Sequence, residues 1–206
     1  MSTQVRKPQG ERTRAMRLRL MDATVDCLSE LGWAGTTTTE VSQRAGVSRG
    51  AQLHHFPSKQ DLVVAAVEHL TGRRRDELAH TVENLPTAGR TRAVLDALGA
   101  QFTGPVYFAA LELWVAARTD AELLKAVAPL ERRVGRDTHK YAVELFGIDE
   151  SLGNNRQLVQ ATLDLLRGLG LAASLSDDTA RRNKLLDAWA PVLDAQFTKA
   201  TVGRSA

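Results

Sequence analysis

The chain has 206 residues, 43% hydrophobic and 25% charged, enough to bury a real core and ordinary for a soluble folded protein. No apolar run nears the ~18 residues of a transmembrane helix, no apolar stretch follows the basic N-terminus as in a secretory signal, and a single cysteine, Cys27, excludes an intramolecular disulfide and suits a reducing cytoplasm. The net charge of +3 is uneven: residues 1–60 hold nine Lys/Arg against five Asp/Glu, and the remainder 18 against 19, so the basic excess lies where a polyanion would meet the N-terminal end.

Residues 1–10 contain Pro8 and Gly10 and show no periodicity, the pattern of a flexible basic arm. From Glu11 to Leu31 the set Met16, Leu20, Ala23, Thr24, Cys27, Leu28 and Leu31 recurs at steps of four and three, one stripe of a long amphipathic helix that Gly32 and Gly35 end. Thr37 with Glu40 fits a capping box, and Gly46 keeps the helix it opens short. Ser48 suits the N-cap of another short helix. That helix stops before Pro57, because the residue preceding a proline is pushed out of helical geometry. Ser58 caps a third helix, with Leu62, Val63, Ala66, Val67 and Leu70 on its inner face. Two short helices joined by a tight "AGVS" turn make a helix-turn-helix, placed at residues 11–56 and followed by a connecting helix and hinge at 57–85.

Beyond the hinge, "ENLPTAG", five helical segments are predicted near 88–103, 105–118, 120–146, 155–174 and 177–199, separated by turn and cap residues. No useful strand alternation appears. The expected fold is all-α, with residues 86–206 as a second helical domain.

The adjacent His54 and His55 raise metal and catalytic readings. Neighbours on a helix point roughly 100° apart, whereas helical metal ligands need a spacing of three or four. No further His or Cys lies nearby, and no nucleophile stands beside an orienting acid. No metal site, cofactor or enzymatic activity is therefore expected.

The string "TTTTEVSQRAGVSRGAQLHHFPSKQDLV", Thr36–Val63, resembles the DNA-binding signature of the TetR family of transcriptional regulators. Ala45-Gly46-Val47-Ser48, Gly50, His55-Phe56, Lys59 and Leu62 fall at the matching spacing. The likeness covers residues 12–70 and beyond them is one of architecture only. One residue departs from the pattern: many members have an aromatic, often a tyrosine that contacts phosphate, where this chain has Leu53. His54 follows as a substitute contact.

The resemblance makes the second short helix a recognition helix for double-stranded DNA. Arg49 then suits guanine or a phosphate and Gln52 adenine. Thr37, Ser48 and Lys59 stand at helix starts where phosphates bind, Arg44 reaches toward the backbone, and His54 faces DNA. Residues 86–206 become a ligand-binding and dimerisation domain. Phe102, Tyr107, Phe108, Leu111, Trp114 and Val115, with the polar Glu112, Arg118 and His139, suit a small, largely hydrophobic effector with one polar or charged end. Leu158, Leu165, Leu169, Leu186, Trp189 and Leu193 are expected at a homodimer interface. A two-fold dimer presents its heads about 34–36 Å apart, or a multiple of that, to a palindromic operator. The implied function is a cytoplasmic ligand-responsive repressor. Two alternatives are a helical small-molecule-binding protein and a non-specific architectural DNA binder.

Overall fold

The structure, a computed structural model, describes residues 9–82 and 85–197. The regular elements in this range are helical: α1 (Gln9–Gly35), α2 (Thr38–Arg44), α3 (Arg49–His55), α4 (Lys59–Val82), α5 (Arg90–Gly99), a 3-10 turn (Ala100–Phe102), α6 (Pro105–Ala117), α7 (Ala121–Phe146), α8 (Asn155–Ala173) and α9 (Thr179–Gln196). The fold is all-α, as expected. Most of the predicted arm, and positions 83 and 84 of the hinge, lie outside the described residues, and Gln9 and Gly10 already belong to α1.

The chain forms two compact units. One runs up to Gly72 and takes in Phe108–Leu130; the other joins Arg73–Tyr107 to Glu131 onward. A boundary near residue 86 therefore does not describe the packing, because most of α6 and the first turns of α7 belong with the helix-turn-helix. The sequence carries little mark of this. α6 reads PVYFAALELWVAA, apolar around most of its circumference, so periodicity assigns it no single partner.

In the first unit the stripe of α1 buries Leu20, Cys27 and Leu28 with Val41, Ala45, Phe56, Leu62, Val63, Ala66 and Val67. Burial raises the Cys27 thiol above its usual range, the mark of an unreactive core cysteine. Leu31, the last residue of the predicted stripe, is instead exposed. The chain leaves helical geometry one residue later, at Gly32 (φ 66°, ψ −177°), a conformation only glycine adopts freely.

Local chemistry places the next helices. The Thr37 hydroxyl accepts the Glu40 N–H at 3.1 Å, and the Ser48 hydroxyl accepts the Ala51 N–H at 3.2 Å. Gly46 turns the chain between them at φ 62°. α3 ends at Phe56, whose extended backbone (φ −141°, ψ 99°) is what Pro57 demands. Ser58 then caps α4, accepting the Asp61 N–H at 3.0 Å while donating to the Asp61 carboxylate at 2.7 Å.

In the second unit α5 packs on α8 and α9, and α8 on α9. The core holds Leu95, Leu98, Phe102, Leu145, Val159, Leu166, Leu169, Leu186 and Leu193. Arg92 ties α5 to α9 through Asp187 at 2.7 Å. α8 crosses the 3-10 turn so closely that a Cβ on Gly170 would sit 2.0 Å from the Phe102 carbonyl oxygen.

Candidate nucleic-acid interface

Helix α3, the expected recognition helix, has seven residues, and its two sides have opposite characters. Gln52 faces inward and is fully buried. Its Oε1 accepts the Ser42 hydroxyl of α2 at 3.4 Å, and its Nε2 donates to the Phe56 carbonyl at 3.2 Å. These bonds make a buried amide tolerable. They also correct the expectation that Gln52 reads adenine, since its hydrogen-bonding groups are engaged inside the head.

The outer side carries Arg49, Gly50, Leu53 and His54, all exposed. Positions i, i+1, i+4 and i+5 share one side of a helix, so these four form one surface. His54 packs edge-on against the half-buried His55, with ring centroids 5.2 Å apart. Desolvation, helped by the neighbouring His54 and Arg17, holds the His55 imidazole below its ordinary value, so it is neutral at pH 7.

Arg17 was missed in the sequence. It lies on α1, donates to the His55 carbonyl at 3.2 Å and stacks over the Phe56 ring at 4.4 Å. It therefore satisfies the C-terminal end of α3 from 38 residues away. The only available signal was an arginine flanking an apolar stripe, which by itself reads as a solvated charge.

Two other expected DNA contacts have partners within the chain. Arg44 binds Glu30 at 2.7 Å and lies 3.8 Å from Glu40, and the Glu30 hydrogen bond raises its pKa. Lys59 donates to the Trp33 carbonyl and sits 3.6 Å from the Trp33 ring centroid, and burial lowers its pKa. Lys59 corrects the expectation of a free phosphate contact, since its ammonium joins α4 to the end of α1, whereas Arg44 stays at the surface beside exposed carboxylates. Thr37 and Ser48 remain exposed at their caps.

The residues expected to line a ligand pocket are divided between the units. Along α6 in the first, Phe108, Leu111 and Trp114 are half-buried, while Glu112, Val115 and, beyond the helix, Arg118 are exposed. Glu112 accepts the Trp33 N–H at 3.4 Å. In the second unit Phe102 and Tyr107 are buried edge to face at 5.8 Å, and the Tyr107 hydroxyl donates to the Arg167 carbonyl at 2.8 Å. His139 lies 2.8 Å from Glu150, which also binds Arg156 at 2.9 Å. These three line a cleft of about 640 Å³ with Arg132, Gly135 and Arg136.

Of the expected dimer residues, Leu169, Leu186 and Leu193 are buried within the chain's own core, which corrects their assignment to an interface. Leu158, Leu165 and Trp189 are half-buried, and the Trp189 indole donates to Thr162 at 3.0 Å. The apolar surface that remains open includes Leu171, Leu175 and Val192, with Ala161, Gly168 and Ala188. Among the described residues no group of three or more His, Cys, Asp or Glu is suited to a metal. No helix there is long and apolar enough to cross a membrane.

Residues 20–66, from mid-α1 into α4, match the family model for bacterial regulatory proteins of the tetR family. The chain is 30% identical to the HTH-type transcriptional regulator CymR of Pseudomonas putida over 202 residues, covering 94% of this chain and 97% of that one. It is 27% identical to the HTH-type transcriptional regulator BetI of Escherichia coli (strain K12), covering 82% and 89%. A crystal structure of a transcriptional regulator from Rhodococcus sp. matches the fold with a TM-score of 0.67 at 23% identity, covering 89% of this chain and 99% of that one. The multidrug binding protein EbrR complexed with imidazole matches with a TM-score of 0.60 at 22% identity, covering 90% and 97%. A helix-turn-helix that matches the family model, in a chain related to CymR over nearly its whole length, leads to one assignment: this chain belongs to the tetR family of bacterial regulatory proteins, DNA-binding regulators of transcription and not enzymes.

Proposed function

We propose that the protein is a sequence-specific repressor that binds a palindromic operator as a homodimer in the cytoplasm and is released by a small effector. One observation carries the DNA reading: the outer side of α3 is an open strip of Arg49, Gly50, Leu53 and His54, while Ser48 and Arg17 fix its two ends. A recognition helix works in this way, with the fold holding it from behind. Arg49 pairs with the O6 and N7 of guanine. Arg12 and Arg14, exposed on the first turns of α1, supply salt-dependent phosphate contacts.

The position of Lys59 favours this reading over an architectural one: a non-specific binder depends on many free cations facing phosphate, yet Lys59 is partly buried against Trp33. The open apolar surface of α8 and α9 supports dimerisation. For the effector, support comes from EbrR, a relative in fold described as a multidrug binding protein and seen with malachite green and with proflavin. A small, largely hydrophobic effector releases DNA only by binding better to the dimer geometry that cannot span the operator.

The test is fluorescence anisotropy of the protein on the DNA upstream of its own gene, with random duplex as competitor, at two salt concentrations. Binding that resists the competitor is expected. Binding that random DNA abolishes at every candidate site would remove the sequence-specific reading.

A further inference from the structure

We infer that Leu53 reads the 5-methyl group of a thymine at one position in each half-site. The inference rests on the proposed role of α3 as the helix that enters the major groove. It begins from an inversion of the usual pattern. On a two-turn helix backed by a core, leucine belongs inside and glutamine outside. Here Gln52 is fully buried, at the cost of finding two hydrogen-bond partners, and its neighbour Leu53 is left 42% exposed. Packing within the head therefore does not account for an aliphatic side chain at position 53.

Leucine has neither donor nor acceptor. It cannot bond a phosphate, and it cannot read the hydrogen-bonding edges of guanine, adenine or cytosine. Among the groups on the floor of the major groove, only the thymine methyl is apolar. A second feature supplies the reach. Leucine is short, so its methyls meet a base edge only if the helix backbone comes close. Gly50, three residues earlier on the same side, is exposed, and the space where a Cβ would stand has no atom within 4 Å. The backbone beside Leu53 is thus bare and open to close approach. Arg49 stands one helical turn from Leu53, about 5–6 Å between Cβ atoms. The thymine therefore lies within one or two base pairs of the guanine that Arg49 reads, at about 3.4 Å per step.

The test starts from an operator selected out of random duplexes. Each thymidine is replaced in turn by deoxyuridine, which deletes the methyl and leaves the pairing edge unchanged. Affinities of the wild-type protein and Leu53→Ala are then measured by anisotropy. Leu53 is exposed, so the variant is expected to melt at the wild-type temperature. For the wild type, deoxyuridine at the contacted position of one half-site weakens binding about three- to five-fold, the value of one buried methyl. Leu53→Ala loses the contact in both half-sites, so it binds the thymidine operator about ten- to twenty-five-fold more weakly, and it does not respond to that replacement. If no replacement matters, or if both proteins respond alike, the methyl assignment is wrong while sequence-specific binding stands. A selection that yields no preferred sequence overturns both.

Discussion

Trp33 is gripped through its own peptide groups: Glu112 takes its N–H, and Lys59 binds its carbonyl while lying over its ring. An ammonium in that position contributes to the fold before it contributes to DNA. Lys59→Met, which keeps the aliphatic stem, is therefore expected to lower stability by about 1–2 kcal/mol in urea titrations. It leaves the slope of log affinity against log salt unchanged; a slope shallower by about one would return Lys59 to the phosphates. Gln52 and Arg49 make the opposite pair. Gln52→Ala is expected to cost about 1–3 kcal/mol of stability with base preference intact, while Arg49→Ala leaves the melting temperature alone and relaxes preference at one guanine, read by competition among operator variants. His55 adds a pH dependence. Its depressed pKa means that, at acidic pH, the unfolded chain takes up a proton the folded one refuses. Its contribution is therefore complete above the unfolded value near 6.5 and declines as pH falls through the window below it. The urea midpoint of the wild type should thus fall further than that of His55→Asn between pH 7.5 and 5.5.

The helices themselves were largely legible. Thr37, Ser48, Gly46 and Pro57 act on the backbone within three or four residues, so caps and stops can be read from local order. Which side of a helix faces inward is another matter. Seven residues give α3 no stripe long enough to orient it, and the Ser42 hydroxyl that meets Gln52 comes from another helix, α2, although its second partner, the Phe56 carbonyl, is local. Lys59 and Trp33 are 26 residues apart, and Glu112 and Trp33 are 79 apart. No periodicity reports such pairs. α8 and α9 failed differently, because each is apolar on two sides and the sequence does not say which is core. Two glycines separate packing from flexibility at this scale. Gly170→Ala drives a Cβ into the Phe102 carbonyl, and a loss above about 3 kcal/mol is expected. Gly135→Ala, inside α7, meets nothing within 4 Å, and the helical gain of roughly 0.5–1 kcal/mol leaves the chain as stable as before or more so. Thermal melts of the two variants decide the point.

For the whole molecule, the corrected inner and outer sides of α8 and α9 make dimerisation and folding separately testable. Val192→Arg places a charge on the open apolar surface and is expected to give a folded monomer in sedimentation experiments, with operator affinity reduced at least a hundredfold. Leu193→Ala, one residue away but fully buried, is expected to cost about 2–5 kcal/mol of stability instead. Equal, undisturbed dimers for both variants would move the interface elsewhere.

The open strip on α3 also makes the head suited to retargeting. Arg49, Leu53 and His54 bear little of the fold's weight, which Gln52, Arg17 and the Ser48 cap carry behind them. A library randomised at those three positions, with glycine kept at 50, is expected to remain folded almost throughout. Each member would carry its own operator choice, a route to sets of regulators that share one effector response yet ignore one another's DNA.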